Sequence, residues 1–427
     1  MYQPTIGFAG MSHLGINSAV ATAERGFHVV CFDMDKTLIE NFKKQCLPIV
    51  EPTLPELLTK HCLTEKIEFS DDAAMLGQCD VVYIASDVPT NDRGVSDLAS
   101  IYALIKQVLA HLNPNALLVV LCQVPPGFTR ALKTELPLER VYYQVETLIF
   151  GRAIERALYP ERFIIGCADP AISIDSRYGS LLAAFECPIL PMRYESAELS
   201  KISINCCLVA SISVANMLSE ICEKIGANWA EIVPALKLDK RIGANAYLAP
   251  GLGIAGGNLE RDLETILNFS EFYGTEAGIV KSWLRNSQYR KDWVLKILQS
   301  HVLLTNKNPT IAVLGLAYKE NTHSTKNSPS LLLLQYLRSY NVRVYDPVVD
   351  CSIVSWAHSA TSVEQALKSA DVLIIMTPWP VFRTMTLEEL KKTMRGRVII
   401  DPYQVLAFLG LEKEGFHYSA LGVGVTC

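Results

Sequence analysis

No C-x-x-C pair occurs among the twelve cysteines of this 427-residue chain, and neither sign of charge is in large surplus. Scattered thiols with one adjacent pair, Cys206 and Cys207, suit neither a disulfide framework nor a zinc site, so reduced cysteines in a cytoplasm are the expectation. A net charge of −5 offers no basic surface for nucleic acid or an anionic membrane. The start, "MYQPTIGFAG", has no basic segment before an apolar stretch and runs straight into a strand, which adds to the cytoplasmic expectation. One uncharged run tests a membrane reading. The eighteen residues from Ile202 to Ser219, "ISINCCLVASISVANMLS", reach the length of a membrane helix. Their serines, asparagines and cysteines, bracketed by Lys201 and Glu220, instead predict a helix buried on most sides inside protein.

What is present is a repeated alternation of strands and helices. "TIGFAG" is an apolar run ending in glycine, "HLGINSAVATAERG" a helix with its stop glycine, and "HVVCFD" a second strand ending in an acid. Four more apolar runs follow, at 79–86, 116–123, 140–145 and 162–167. From about 192 to 300 the pattern turns helical without a convincing strand. Then "TIAVLGLAYK", "SPSLLLLQYLRSY", "VRVYDP", "ADVLIIMTPW" and "GRVIIDP" restate the opening theme. Such alternation implies parallel sheets. The expectation is therefore an α/β protein: two Rossmann-like doubly wound domains, 1–191 and 308–427, joined by a central helical domain, 192–300.

The first unit carries most of a dinucleotide fingerprint, which needs a strand, G-x-G-x-x-G, a helix and an acid after the next strand. Here the run is Gly10, Ser12 and Gly15, with Asp33 at the end of the second strand. A carboxylate there favours NAD over NADP, because a 2′-phosphate would meet it. Ser12 stands where the second glycine lets backbone approach the pyrophosphate, so affinity is expected to suffer. Further along, "GIAGGNLERD" (253–262) has the glycines and polar residues of a binding loop, and no cysteine.

Nine stretches occur in an order that resembles the UDP-glucose/GDP-mannose dehydrogenase family along nearly the whole chain: "PIVEPTLPELL" (48–58), "CQVPPGFT" (122–129), "PERFIIG" (160–166), "ELSKISIN" (198–205), "DKRIG" (239–243), "PGLGIAGG" (250–257), "LGLAYK" (314–319), "YDP" (345–347) and "TPWPVF" (377–382). The resemblance implies NAD as cofactor, a nucleotide sugar (a UDP-sugar first) as substrate, and a homodimer built through the helical centre. It also implies roles. Lys201 and Asn205, four apart on one helix face, would stabilise the alkoxide from which hydride departs. Asp262 would work with the lysine through water, and Glu146 would assist thioester hydrolysis. Gln123 and Lys326 join Gly10, Ser12, Gly15 and Asp33 near the cofactor. Arg241 would reach across the dimer to the sugar nucleotide, Lys319 would lie near its diphosphate, and the stretch from Tyr247 to Gly251 would line it.

The departures cluster at the pocket. Asn258 stands where the family has its nucleophilic cysteine, and an amide cannot form a thiohemiacetal or thioester. Ala255 replaces a loop glycine, Gln123 a threonine, Lys326 an arginine, Tyr403 an arginine and Val88 a threonine near the cofactor. Ile149 and Phe150 replace an arginine and a glutamate. Cys122, just before Gln123, and Cys206 and Cys207, just after Asn205, are the thiols that could stand in, with buried structural cysteine the commoner fate. Two functions follow: a dehydrogenase restricted to one hydride, or a non-catalytic relative that binds a nucleotide sugar or a partner.

Overall fold

The computed structural model describes residues 3–48, 51–89 and 96–424; Ile49 and Val50 of the stretch 48–58 lie outside the described residues. Its contacts divide the chain into two units, Met1–Ile204 and Asn205–Cys427, the division falling inside one long helix, Tyr194–Ile225.

The first unit holds an eight-stranded sheet of β1 (Ile6–Ala9), β2 (Val29–Phe32), β3 (Ile67–Ser70), β4 (Val81–Ile84), β5 (Leu117–Val120), β6 (Val141–Gln144), β7 (Phe163–Cys167) and β8 (Ile189–Arg193). The spatial order is β3-β2-β1-β4-β5-β6-β7-β8, parallel throughout except where β7 runs against β6. Its first six strands follow the order of a dinucleotide-binding sheet. β1, β2, β4 and β5 are buried at all four residues. A parallel strand covered on both faces reads as a continuous apolar run, which is why these four are legible in sequence. The edge strand β3 alternates Ile67 and Phe69 inward with Glu68 outward and is missed. β8, also missed, keeps all its residues partly or fully exposed and runs two residues past 191, into the stretch expected to be strand-free.

The second unit holds a central helical region, with helices Trp229–Leu238, Asn258–Tyr273 and Gly278–Lys291 beside the end of the long helix. A six-stranded parallel sheet follows: β9 (Thr310–Leu314), β10 (Asn341–Tyr345), β11 (His358–Ser359), β12 (Val372–Ile375), β13 (Val398–Ile400) and β14 (His417–Ser419). Its order, β11-β10-β9-β12-β13-β14, repeats the first sheet's topology. The repeat extends to the turns. Gly10 after β1 and Gly315 after β9 have φ of +94° and +95°, and a Cβ on either would strike Ser86 at 2.8 Å or Thr377 at 2.5 Å.

The long helix departs from the expectation of burial on most sides. It is long and apolar enough to cross a membrane by length and composition, and only 33% of its most apolar window is buried. Val214, Met217, Ile221 and Ile225 are exposed. Sequence patterning overstated its burial because an apolar helix face looks alike whether or not the same chain covers it. Its polar groups are nonetheless engaged in protein contacts. Glu198 accepts from loop amides, Lys201 pairs with Glu146, and Glu220 and Glu223 face the fully buried Arg290 at 3.3 and 3.7 Å.

Candidate active site

In the first unit, the helix His13–Glu24 starts at the phosphate loop. Two of its fingerprint glycines are required by the protein itself: Gly10 lies against Ser86, and a Cβ on Gly15 would sit 1.9 Å from the Gly10 carbonyl oxygen. The position that changed, Ser12, is the one whose glycine serves ligand approach. Asp33, half-buried at the end of β2, accepts Met11 N at 2.6 Å and Asp35 N at 2.9 Å, holding the loop from the ribose side. This arrangement fits the adenosine half of NAD, and Gly10, Ser12, Gly15 and Asp33 are the residues that would hold it. The repeated acid in the second unit differs. Asp346 is buried and accepts Leu316 N, Ala317 N, Val348 N, Val349 N and Trp379 Nε1. With its acceptor positions taken, it is a structural anchor with no capacity left for a ribose.

Gln123 follows β5 on a loop clamped from the long helix. The Glu198 carboxylate, fully buried, accepts Gly127 N at 2.6 Å and Thr129 N at 2.8 Å. Burial pushes this carboxyl up from its ordinary value, and the amides of Thr129 and Gly127 pull it back. Sequence reading passed over Glu198 although it lies one turn before Lys201. Replacing it by alanine strands two loop amides, so we expect Glu198→Ala to cost about 2 kcal/mol of stability. A loss of less than about 0.5 kcal/mol in denaturant unfolding would show that the loop holds itself.

Lys201 Nζ donates to the Glu146 carbonyl oxygen at 2.9 Å and stands 3.2 Å from the Glu146 carboxylate, both side chains largely buried. One turn on, in the second unit, Asn205 Nδ2 donates to the buried Asp262 carboxylate, which Arg261 also approaches at 3.4 Å. The helix thus carries two polar pairs on consecutive turns of one face, Lys201 with Glu146 and Asn205 with Asp262.

The glycine loop explains its own composition differently from the sequence expectation. Gly256, at φ +82°, faces the Tyr318 ring, which a Cβ would meet at 3.1 Å; a Cβ on Gly257 would meet the Lys326 side chain at 3.2 Å. The close approach is made by the chain's own residues 318 and 326. Gly256 N donates to the Lys326 carbonyl at 3.0 Å, and Asn327 Nδ2 reaches back to the Gly256 carbonyl at 2.9 Å. Asn258 is the exposed first residue of helix Asn258–Tyr273, and Lys326 lies across the glycine before it. Lys319 stands over the same Tyr318 ring at 5.7 Å. The stretch to Gly251 is anchored where Gly251 N donates to the buried Asn216 at 2.7 Å, with Tyr247 exposed. Arg241 is exposed and forked onto Asp239, at 3.0 and 2.6 Å, rather than onto another candidate residue.

Neither Cys122 nor Cys206 is activated. Cys122 is wholly buried and burial pushes it up to about 12; Cys206, beside Asp262, is pushed up to about 11, also by burial first. A nucleophilic cysteine needs the opposite shift. Among the described residues, no group of three or more His, Cys, Asp or Glu side chains is arranged to hold a metal.

Comparison with known proteins agrees with this architecture. Residues 4–182 match the NAD binding domain of the UDP-glucose/GDP-mannose dehydrogenase family, 195–288 its central domain and 312–407 its UDP binding domain. The UDP-glucose 6-dehydrogenase TuaD of Bacillus subtilis is 28% identical over 98% of this chain and 93% of its own length. The solved UDP-glucose dehydrogenase of Pyrobaculum islandicum superposes with a TM-score of 0.85 at 26% identity, covering 99% of this chain and 98% of its own. The UDP-D-ManNAc dehydrogenase of Pyrococcus horikoshii gives 0.84 at 25%, covering 98% and 99%. The chain belongs to the UDP-glucose/GDP-mannose dehydrogenase family, with an NAD binding domain at its N-terminal end and a UDP binding domain at its C-terminal end.

Proposed function

We propose that the protein is an NAD-dependent UDP-sugar dehydrogenase of sugar-nucleotide and polysaccharide biosynthesis that removes one hydride per sugar. The observation that carries this reading is the presence of both polar pairs on the long helix in a chain that has an exposed asparagine at 258. When bound, NAD supplies the hydride acceptor. The chain's part is to take the hydroxyl proton and hold the charge left on oxygen as the C–H bond breaks. The proton leaves through water to the Asp262 carboxylate, which also orients the Asn205 amide; that amide and Lys201 Nζ suit the second task. The product is an aldehyde or ketone, released as such because Asn258 forms no thioester. Position 258 is an asparagine that cannot carry a thioester, while Glu146 stands as a partner of Lys201.

The exposed apolar residues Val214, Met217, Ile221 and Ile225 support a homodimer formed through the helical region, and the eleven free cysteines among the described residues support a reducing cytoplasm. Counting NADH formed per sugar consumed, over UDP-, GDP- and dTDP-sugars, tests the proposal, and one per sugar is expected. Two would reveal another route to the acid. None, from protein that calorimetry shows to bind a nucleotide sugar, would leave a non-catalytic binding subunit.

A further inference from the structure

One aromatic ring in the first unit is held in place and left open to solvent. Phe150 follows β6 in the turn 149–152, where Arg152 N donates to the Ile149 carbonyl at 2.9 Å and Gly151 has a φ of +85°, as the third residue of a type II turn requires. Its ring stacks on the His13 imidazole, with centroids 4.1 Å and planes 28° apart. His13 is the first residue of the helix that starts at the phosphate loop. The fully buried Glu51 carboxylate fixes both partners: it meets His13 Nε2 at 2.7 Å and accepts the Gly151 and Ala153 amides at 2.7 and 3.1 Å. The imidazole is largely buried, yet Phe150 is 44% exposed. With one side fastened against His13, that exposure leaves ring surface for a second flat group.

We propose that Phe150 is a positioning residue for the cofactor: its open face stacks on the nicotinamide ring of NAD and holds the oxidised, positively charged ring more firmly than the reduced, neutral one. This rests on the assignment of NAD to the first unit and on the reaction proposed above. Strand order carries the first part of the argument. In a sheet ordered β3-β2-β1-β4-β5-β6 a dinucleotide lies across the ends of β1 and β4, with one half on each side. Asp33, at the end of β2, marks the adenosine half, so the loop after β6 belongs to the nicotinamide half. Glu146 carries the second part. It stands in that same loop and pairs with Lys201, the group assigned to the alkoxide from which hydride departs, so the nicotinamide ring has to come to this pair. Four residues of chain span at most roughly 14 Å, which keeps Phe150 near the reacting end of the cofactor. The preference for one redox form follows from the ring itself. A phenyl face carries the negative part of its quadrupole and attracts a cation above it, and the nicotinamide loses its positive charge when it accepts hydride. The device favours loading of oxidised cofactor and release of reduced cofactor.

Calorimetry of the full chain with NAD, NADH and ADP-ribose, which lacks the nicotinamide, tests this. Phe150→Leu keeps the apolar bulk and removes the π face. It is expected to weaken NAD about tenfold and NADH roughly threefold, and to leave ADP-ribose unchanged, which also shows that the variant is folded. Phe150→Tyr keeps the face and is expected to bind all three as the parent chain does. Unchanged or tighter NAD binding by Phe150→Leu would overturn the proposal, tighter binding making the ring a cover over the site. Equal losses for NAD and NADH would overturn it too, as would a loss for ADP-ribose as large as that for NAD, the mark of a turn that only shapes its loop. Failure of the parent chain to bind either NAD or ADP-ribose would remove the nucleotide assignment together with the proposal, whereas tight ADP-ribose binding beside an NAD affinity indifferent to residue 150 would remove the proposal alone.

Discussion

Replacing Lys201 by methionine is expected to lower kcat about a thousandfold while leaving ADP-ribose affinity unchanged. The reason is placement. The ammonium sits on the long helix with a fixed partner on each side of its charge, the Glu146 carbonyl at 2.9 Å and the Glu146 carboxylate at 3.2 Å, and little solvent. A positive charge in a partly dry site stabilises a developing alkoxide far better than one in water. Methionine keeps the length and the apolar stem and loses the charge, so folding is little affected and chemistry fails. Glu146→Gln provides the contrast. It removes the opposing carboxylate and leaves the carbonyl acceptor, so the lysine stays in position and kcat falls much less than with Lys201→Met. Steady-state kinetics with whichever sugar proves a substrate checks both. Near-normal kcat for Lys201→Met would remove the lysine from the reaction, and a change confined to KM would make it a binding residue.

Asp346→Ala is expected to destabilise the second unit by about 4 kcal/mol. Five donors converge on this one buried carboxylate, from the turn after β9, from its own turn after β10 and from the Trp379 indole. Alanine removes the only acceptor these groups have in common and leaves a cavity where water must enter or the turns must move. Asp33→Ala, at the equivalent place in the first unit, removes the acceptor of two amides beside partly exposed backbone and is expected to cost about 1 kcal/mol. Denaturant unfolding of both variants measures the difference. Equal losses would mean that the two acids do the same work, and the reading of one as structural and the other as available to a ribose would fall.

The sequence by itself determined the class of the protein. Four-residue runs such as "VVYI" and "LLVV" are buried on both faces, and buried parallel strands have no alternative pattern to display. Gly10 and Gly15 were legible as a phosphate loop for a reason internal to the chain: each is pressed against backbone that no side chain can displace. The long helix was legible by length; Lys201 and Asn205 were singled out by the family resemblance, and their spacing put them on one face of it. That position 258 is an asparagine is a fact of sequence alone, and so is the inability of an amide to form a thioester.

Only the tertiary structure decided what those residues touch. Hydrogen-bond partners far apart in the chain leave no periodic trace. Hence Glu198 clamping the 127–129 amides, Glu51 gathering His13 and the turn at 151–153, and Asp346 holding Trp379 were invisible beforehand. Edge strands β3 and β8 escaped because their exposed residues break the apolar run. The glycines at 256 and 257 looked made for a ligand, and the fold gives their space to Tyr318 and Lys326. Ser12 looked like a simple loss of room for a pyrophosphate. Its hydroxyl instead accepts from the Asp87 amide, 75 residues away in sequence. Composition and spacing record which groups are present; folding alone sets which of them share a hydrogen bond and which face the same buried charge.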